Sequence, residues 1–305
     1  MDALVLVKEI ADTDVWIEID PASLQPDPKD LVFGANPCDL AALGAAVNLI
    51  QAQESGSVTA ITLGPRRSEK TLRRCLDYGA DRAIHLICEN IEDVESHQVA
   101  DILSQSVRRL ELSYDLVLAG HHGSDTGWAN GYIGIQVAAM MKLPYLSRVS
   151  DITLGTESNE LIVTCLEDSG ARTTWKCRPP LALIMHPESR PQDHPSLGVS
   201  LEALDKSIEQ VDLISLDLES SRMKQRIHHL GTSYPKPRPR KIFTPDSSLS
   251  AAERIRSIMS GGLKQKRSEF IEGSPEELAV KILDFLIERK LLSLQDAETE
   301  MKQED

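Results

Sequence analysis

The feature that most narrows what this chain can become is the alternation of its first 190 residues between short apolar runs and longer amphipathic ones. The run ALVLVKEI (3–10) is β-rich, and CDLAALGAAVNLIQAQ (38–53) has helical spacing with Asn36-Pro37 as its start signal. SVTAITLGP (57–65) reads as a strand ended by a Gly-Pro break, RSEKTLRRCLDYGA (67–80) as a helix closed by Gly79, and DRAIHLI (81–87) as a strand. A helix over 95–111, a strand over 114–120 and a helix over 133–142 follow. Strands and helices alternating at this spacing build βαβ units. The expected class is therefore α/β, a doubly wound and mostly parallel sheet covered by helices on both faces.

The texture changes from residue 160. ELIVTCLEDSGARTTWKC (160–177) is two β-type runs joined by DSG, the pattern of a β-hairpin with a Gly turn, and PPLALIMHP (179–187) returns to a buried strand. Beyond about 222, YPKPRPRKIFTP is Pro-rich and basic, a linker composition. SPEELAVKILDFLIERKLL (274–292) opens with a helix start: Ser274 as N-cap, Pro275 at the first helical position, Glu276 and Glu277 in the first turn. The expected organisation is an α/β domain over 1–221, a basic extended arm over 222–273, a C-terminal helix over 274–292 and a polar tail over 293–305.

Charge limits the partners. The formal net charge is -14 across 305 residues, which argues against nucleic acid. Between Arg222 and Arg267 the sign inverts locally, with 12 Lys and Arg against Asp246 and Glu253. The 41% hydrophobic, 26% charged composition is that of a soluble domain, and no stretch reaches the roughly 18 apolar residues of a membrane span. The N-terminus MDALVLVKEI shows no basic leader, so a cytoplasmic location is expected. The five cysteines (Cys38, Cys75, Cys88, Cys165, Cys177) are scattered without a CxxC pair, the pattern of free core thiols.

In an open α/β sheet ligands bind beyond the carboxyl ends of the strands. Three predicted strand ends carry such punctuation: KEIADTD after the first, LGP after the second and AGHHGSDTG after the strand over 114–120. The last of these opens a loop with Gly120, Gly123, Gly127 and Gly131 that runs into a helix. Backbone N–H groups at a glycine turn and a helix N-terminus suit a phosphate, so the default ligand is a nucleotide. Neither GxGxxG nor GxxxxGK[ST] occurs, and the loop offers no Lys or Arg to a transferring phosphoryl group. It is built to grip, with no catalytic residue assigned. His121, His122 and Asp125 make a poor metal set because adjacent histidines at a strand end point apart.

These segments resemble the β subunit of electron transfer flavoproteins over nearly the whole chain. VTAITLGPRRSEKTLRRCLDYGADRAIHL is close to the family's VxxxTxGPxxxxxxLRxALAMGADRAIxL and is the most specific block. VLVKEIADTDVWIEID is similar to the opening strand and hairpin, and GANPCDLAALGAAVNL to the helix start. HPESRPQDHPSLGVSLEALDKSIE is similar to the recognition loop, and FIEGSPEELAVKILDFLIERKLL to the C-terminal helix of bacterial members.

The resemblance implies an adenine-nucleotide-binding fold of flavodoxin/Rossmann-like topology. It implies an electron carrier, not a catalyst of its own reaction, paired as a heterodimer with an α subunit that holds FAD. The pair would pass electrons from a flavin dehydrogenase to a quinone- or ferredoxin-linked acceptor, meeting a membrane only through that acceptor. The β site would hold AMP, or a second FAD where electrons are bifurcated. Carried onto matching positions, the nucleotide contacts would be Glu9, Ile10, Ala11, Asn36, Leu63, Gly64, Ala119 and Gly120. The phosphate grip would come from Asp125, Thr126, Gly127, Asn130, Gly131 and Gly134, and Leu197 would dock on the dehydrogenase.

Two departures stand out. GHHGSDTGWANGYIG (120–134) is two residues longer than the usual GKQATDGDTAQVG, losing its Lys-Gln pair and one acid and gaining Trp128 and Tyr132. The recognition loop keeps Lys206 alone of its usual lysines. Two other classes fit the sheet: a stand-alone adenine-nucleotide-binding regulator of the universal-stress type, and an ATP-pyrophosphatase-like enzyme. The second would need an SGGxDS-type loop after the first strand, whereas MSGG lies at 259–262.

Overall fold

The structure, a computed structural model, describes residues 1–123, 132–157, 159–186, 189, 195, 197–218, 226, 230–233, 245–246, 248–259 and 273–289. The chain divides into two compact units, Met1–Tyr234 and Pro235–Asp305.

The first unit is built on a nine-stranded sheet in the order β11-β5-β4-β1-β6-β10-β7-β8-β9. Its parallel core comprises β1 (Asp2–Leu6), β4 (Ser57–Gly64), β5 (Arg82–Ile87), β6 (Leu116–Gly120) and β10 (Leu181–Met185), with β11 (Ile208–Asp212) added parallel to β5. β7 (Tyr145–Leu154) runs parallel to β10 but antiparallel to β8 (Leu161–Leu166), which forms the expected hairpin with β9 (Arg172–Cys177) around a turn at Asp168–Gly170. A small antiparallel pair, β2 (Glu9–Ala11) and β3 (Phe33–Ala35), caps the chain just after β1.

Period-two side chains divide the core between the two faces of the sheet. Ala3, Val5 and Val7 pack with Ala42, Leu43, Ala46 and Val47 of α1 (Pro37–Gln53) and Leu72, Cys75 and Leu76 of α2 (Glu69–Asp77). Leu4 and Leu6 pack with Ile102, Leu103 and Val107 of α3 (Ser96–Arg109) and Val137 and Ala138 of α4 (Tyr132–Met141). Both faces of the central strands are covered, which explains why their sequences are continuous apolar runs with no polar alternation. Pro37 occupies the first turn of α1, and Gly79, at φ +101°, turns the chain out of α2 as the sequence predicts. This is the doubly wound α/β class expected from the alternation.

In the first unit β3, β7, β11 and α5 (Leu197–Asp205) go beyond the sequence reading. Helix α5 is fixed from α2, where Arg73 Nη1 donates to the carbonyls of Ala203 (3.1 Å) and Lys206 (2.7 Å). Lys206 Nζ in turn donates to Ala80 O at 2.9 Å.

In the second unit, α6 (Ala251–Met259) stands within the stretch read as an extended arm. α7 (Pro275–Glu288) begins with a full capping box: Glu277 N donates to Ser274 Oγ, and Ser274 N to Glu277 Oε2. The polar tail 293–305 lies outside the described residues.

Candidate functional site

The sheet grows leftward from β1 through α1 to β4 and through α2 to β5, then α3 carries the chain back across to β6 on the other side of β1. The carboxyl ends of β1 and β6 therefore diverge into their connections in opposite directions, and a crevice must open between them. A cavity of about 450 Å³ lies there, walled by the ends of β1, β4 and β6, the β2–β3 pair, the loops after β4 and β5, and the first turns of α3 and α4.

Of the residues singled out in the sequence, the cavity brings together Glu9, Ala11, Asn36, Leu63, Gly64, Ala119, Gly120 and Gly134. Ile10 does not line it; its side chain is buried. Asp125, Thr126, Gly127, Asn130 and Gly131 lie outside the described residues, as does Trp128. Tyr132 opens α4 and is 58% exposed, and Leu197 opens α5 and is 76% exposed; neither lines the cavity.

Two glycines are there because the walls are tight. A Cβ on Gly120 would come within 2.5 Å of Asp39 Oδ1 and 2.8 Å of the Cys38 carbonyl carbon. One on Gly134 would meet Ile184 Cδ1 at 2.6 Å and Ala119 Cβ at 2.8 Å, so α4 can press its first turn onto β6 and β10 only without a side chain there.

Sequence reading missed the polar frame of the cavity. Asp39, in the first turn of α1, accepts hydrogen bonds from Lys8 N (2.9 Å) and Gly120 N (2.7 Å), spanning the gap between the ends of β1 and β6. Burial pushes its carboxyl up to about 6 against the opposing hydrogen bonds from Lys8, Asn36 and Gly120. Asn36 is the N-cap residue of α1 but its side chain makes no capping bond; its Nδ2 donates to His122 O at 2.9 Å and ties the loop after β6 to α1. At the rim, Arg67 stacks over Phe33 and pairs with Glu9 at 2.9 Å and Glu92 at 3.6 Å. An Asp one turn into a helix looks like ordinary dipole compensation in sequence, and Arg67 looks like one of many surface arginines.

The rings of His121 and His122 do not point fully apart; they meet edge-on with centroids 6.2 Å apart. His122 faces the cavity, whereas the His121 ring lies 6.1 Å from that of His186, at the end of β10. Burial, and then His186, His122 and Arg148, lower the His121 pKa. Cys38 donates to Met185 O and accepts from His121 N, both at 3.2 Å, and burial raises its pKa. Among the described residues no group of three His, Cys, Asp or Glu side chains could hold a metal ion. What the cavity offers is an apolar slot with strand-end amides and carbonyls around it, suited to a flat heterocycle with hydrogen-bonding edges.

The family described as "Electron transfer flavoprotein domain" matches residues 31–213. The electron transfer flavoprotein subunit beta of Methylophilus methylotrophus is 24% identical over 291 residues, 95% of this chain and 99% of that one. That of Thermoanaerobacterium thermosaccharolyticum is 27% identical over 272 residues, 89% and 97% of the two chains. Subunit CarD of the caffeyl-CoA reductase-Etf complex of Acetobacterium woodii is 30% identical over 154 residues, 50% of this chain and 57% of that one.

Proposed function

Since the chain belongs to the electron transfer flavoprotein family, on its β-subunit side, and is thereby an electron-transfer subunit associated with flavin, we propose that it forms a heterodimer with an α subunit holding FAD and keeps an adenine nucleotide in its own cavity. That nucleotide is AMP in an ordinary carrier or the adenylate end of a second FAD in a bifurcating one. Electrons enter from a flavin dehydrogenase at the face marked by Leu197 and leave to a quinone- or ferredoxin-linked acceptor. No helix among the described residues is long and apolar enough to cross a membrane.

The observation that carries the reading is the cavity itself. Its 450 Å³ falls within the roughly 300–1,000 Å³ typical of ligand clefts. It also sits at the switch point of the sheet, where doubly wound folds bind nucleotides. Leu63, Gly64, Ala119 and Gly120 put strand-end backbone around the slot, and Glu9 and Ala11 add the β2 edge. The fit to an adenylate rests on that strand-end backbone and the apolar walls between its segments; Gly120 and Gly134 let those walls pack closely, since a Cβ on either would strike Asp39 and Cys38 or Ile184 and Ala119. The flavin, when bound, supplies the redox chemistry; this chain's residues position and shield.

The test is to purify the chain with its α partner, denature the complex and quantify FAD and AMP. One of each per heterodimer indicates a carrier, and two FAD with no AMP a bifurcating pair. A chain that retains neither flavin nor an α partner overturns the proposal and favours a stand-alone nucleotide-binding regulator.

A further inference from the structure

Helix α1 follows β1 and aims its N-terminus at the cavity, the place where a βαβ unit ordinarily receives a phosphate. Here a side chain of the protein already fills it. Pro37, in the first turn, brings no amide, and Asp39 folds back so that its two oxygens take the amides of Lys8 and Gly120. These are strand-end donors on either side of the switch point. Asn36 supports the same carboxylate from its side chain while holding the His122 carbonyl. Asp39 is 5% exposed and still faces the cavity.

A negative oxygen pair at that position opposes a second anion. Two negative charges close together in a protein cavity repel more strongly than they would in water. The opposite wall differs: there Gly134 brings the first turn of α4 to the cavity.

On the reading of the cavity as a nucleotide site, we propose that Asp39 sets the polarity of the ligand. It holds the amides at the ends of β1 and β6 that a phosphate would otherwise take, so this end receives the uncharged base edge and the phosphate goes to the α4 wall. Asp39 is a specificity-determining residue, and the groups that face it are few. They are the Lys8 ammonium beyond β1, the Asn36 amide, His122 across the cavity, and the Cys38 and Cys75 thiols of α1 and α2, both raised in pKa and neutral.

The test uses the full chain, isotopically labelled, and follows the backbone amide resonance of Gly120 while inorganic phosphate or AMP is added. Near neutral pH, phosphate should leave the Gly120 resonance of the native chain in place. In Asp39→Asn, phosphate should move it and bind at least about tenfold more tightly, a gain that loss of a purely structural bond would not produce. The native chain at about pH 5, with the Asp39 carboxyl protonated, should behave like the variant, which covers the case of a variant that does not fold. A native Gly120 resonance that moves with phosphate at neutral pH, or a variant and a low-pH chain that both stay silent, overturns the assignment. Failure of AMP to bind any of the chains sinks the nucleotide reading separately, since the phosphate response at Gly120 is read without it.

Discussion

The guanidinium carbon of Arg67 lies 4.0 Å from the centre of the Phe33 ring while its Nε donates to Glu9 Oε2 at 2.9 Å. One side chain from the loop after β4 thus ties down both strands of the β2–β3 pair at the mouth of the cavity. The Glu9 side chain is 7% exposed, so removing Arg67 leaves a largely buried carboxylate without its cation. Arg67→Ala should cost about 1 kcal/mol in stability, because Arg67 itself is partly exposed. Its larger effect should be on ligand release, about three- to tenfold faster in a stopped-flow experiment with a fluorescent adenine nucleotide. Arg67→Lys should not restore the native rate, since an ammonium cannot stack and pair at once. Unchanged release in both variants would remove Arg67 from the site.

Gly120 and Gly34 make a controlled pair. A Cβ at Gly120 has the Asp39 carboxylate and the α1 backbone in its way, whereas at Gly34 nothing stands within 4 Å. Gly120→Ala should destabilise by about 1–3 kcal/mol in urea denaturation and abolish nucleotide binding, because β6 must move off α1. Gly34→Ala should stay within about 0.5 kcal/mol of native. Equal effects at the two positions would mean that the switch point is looser than the structure shows.

Arg73 stakes α5 to α2 through two carbonyls at the helix's carboxyl end, leaving Leu197, Leu201 and Leu204 outward. Arg73→Ala should loosen α5 without touching the cavity. Hydrogen exchange over 198–206 should accelerate about tenfold, the loss of one to two charge-assisted hydrogen bonds, while nucleotide affinity holds. If affinity falls in step with exchange, α5 is coupled to the cavity and is not an independent face.

Cys75 is fully buried against the sheet, and burial pushes its thiol up to about 12, with Asp39 adding to the rise. It should therefore react with a thiol reagent only as the domain unfolds. Mass-spectrometric labelling of Cys75 should follow the global unfolding rate. Faster labelling would show that α2 opens by itself.

Local chemistry was readable wherever a signal is carried by neighbouring residues. Gly79, the Asp168–Gly170 turn and the Ser274/Glu277 cap each act over a few residues, and the central strands announce themselves because both their faces are covered. β7 was hidden because only Val149 of its ten residues is buried, and its register breaks near Arg148, which has φ +59°. β11 buries only Val211 fully, since it is an edge strand. The frame of the cavity is long-range: Asp39 reaches 31 residues back to Lys8 and 81 forward to Gly120, and nothing in the sequence near it marks those partners.

Asp39 also gives the fold a signed pH dependence. Its carboxyl is raised from the usual 3.8 to about 6, mainly by burial, so between these values the native chain holds a proton that the unfolded chain has released. The stability this group contributes is present below about pH 4 and is lost as pH rises through about 6, an effect of up to roughly 3 kcal/mol. Asp2, whose carboxyl is lowered by hydrogen bonds from Ser57 and Ser113, acts in the opposite sense and shapes the total curve. The measurement is therefore the native stability minus that of Asp39→Asn, by urea denaturation at several pH values. That difference should fall by roughly 2–3 kcal/mol from about pH 4 to 7 and then level off. A difference that grows over this interval would mean that the amides of Lys8 and Gly120 outweigh burial, and that the carboxyl stays ionised in the fold well below pH 6.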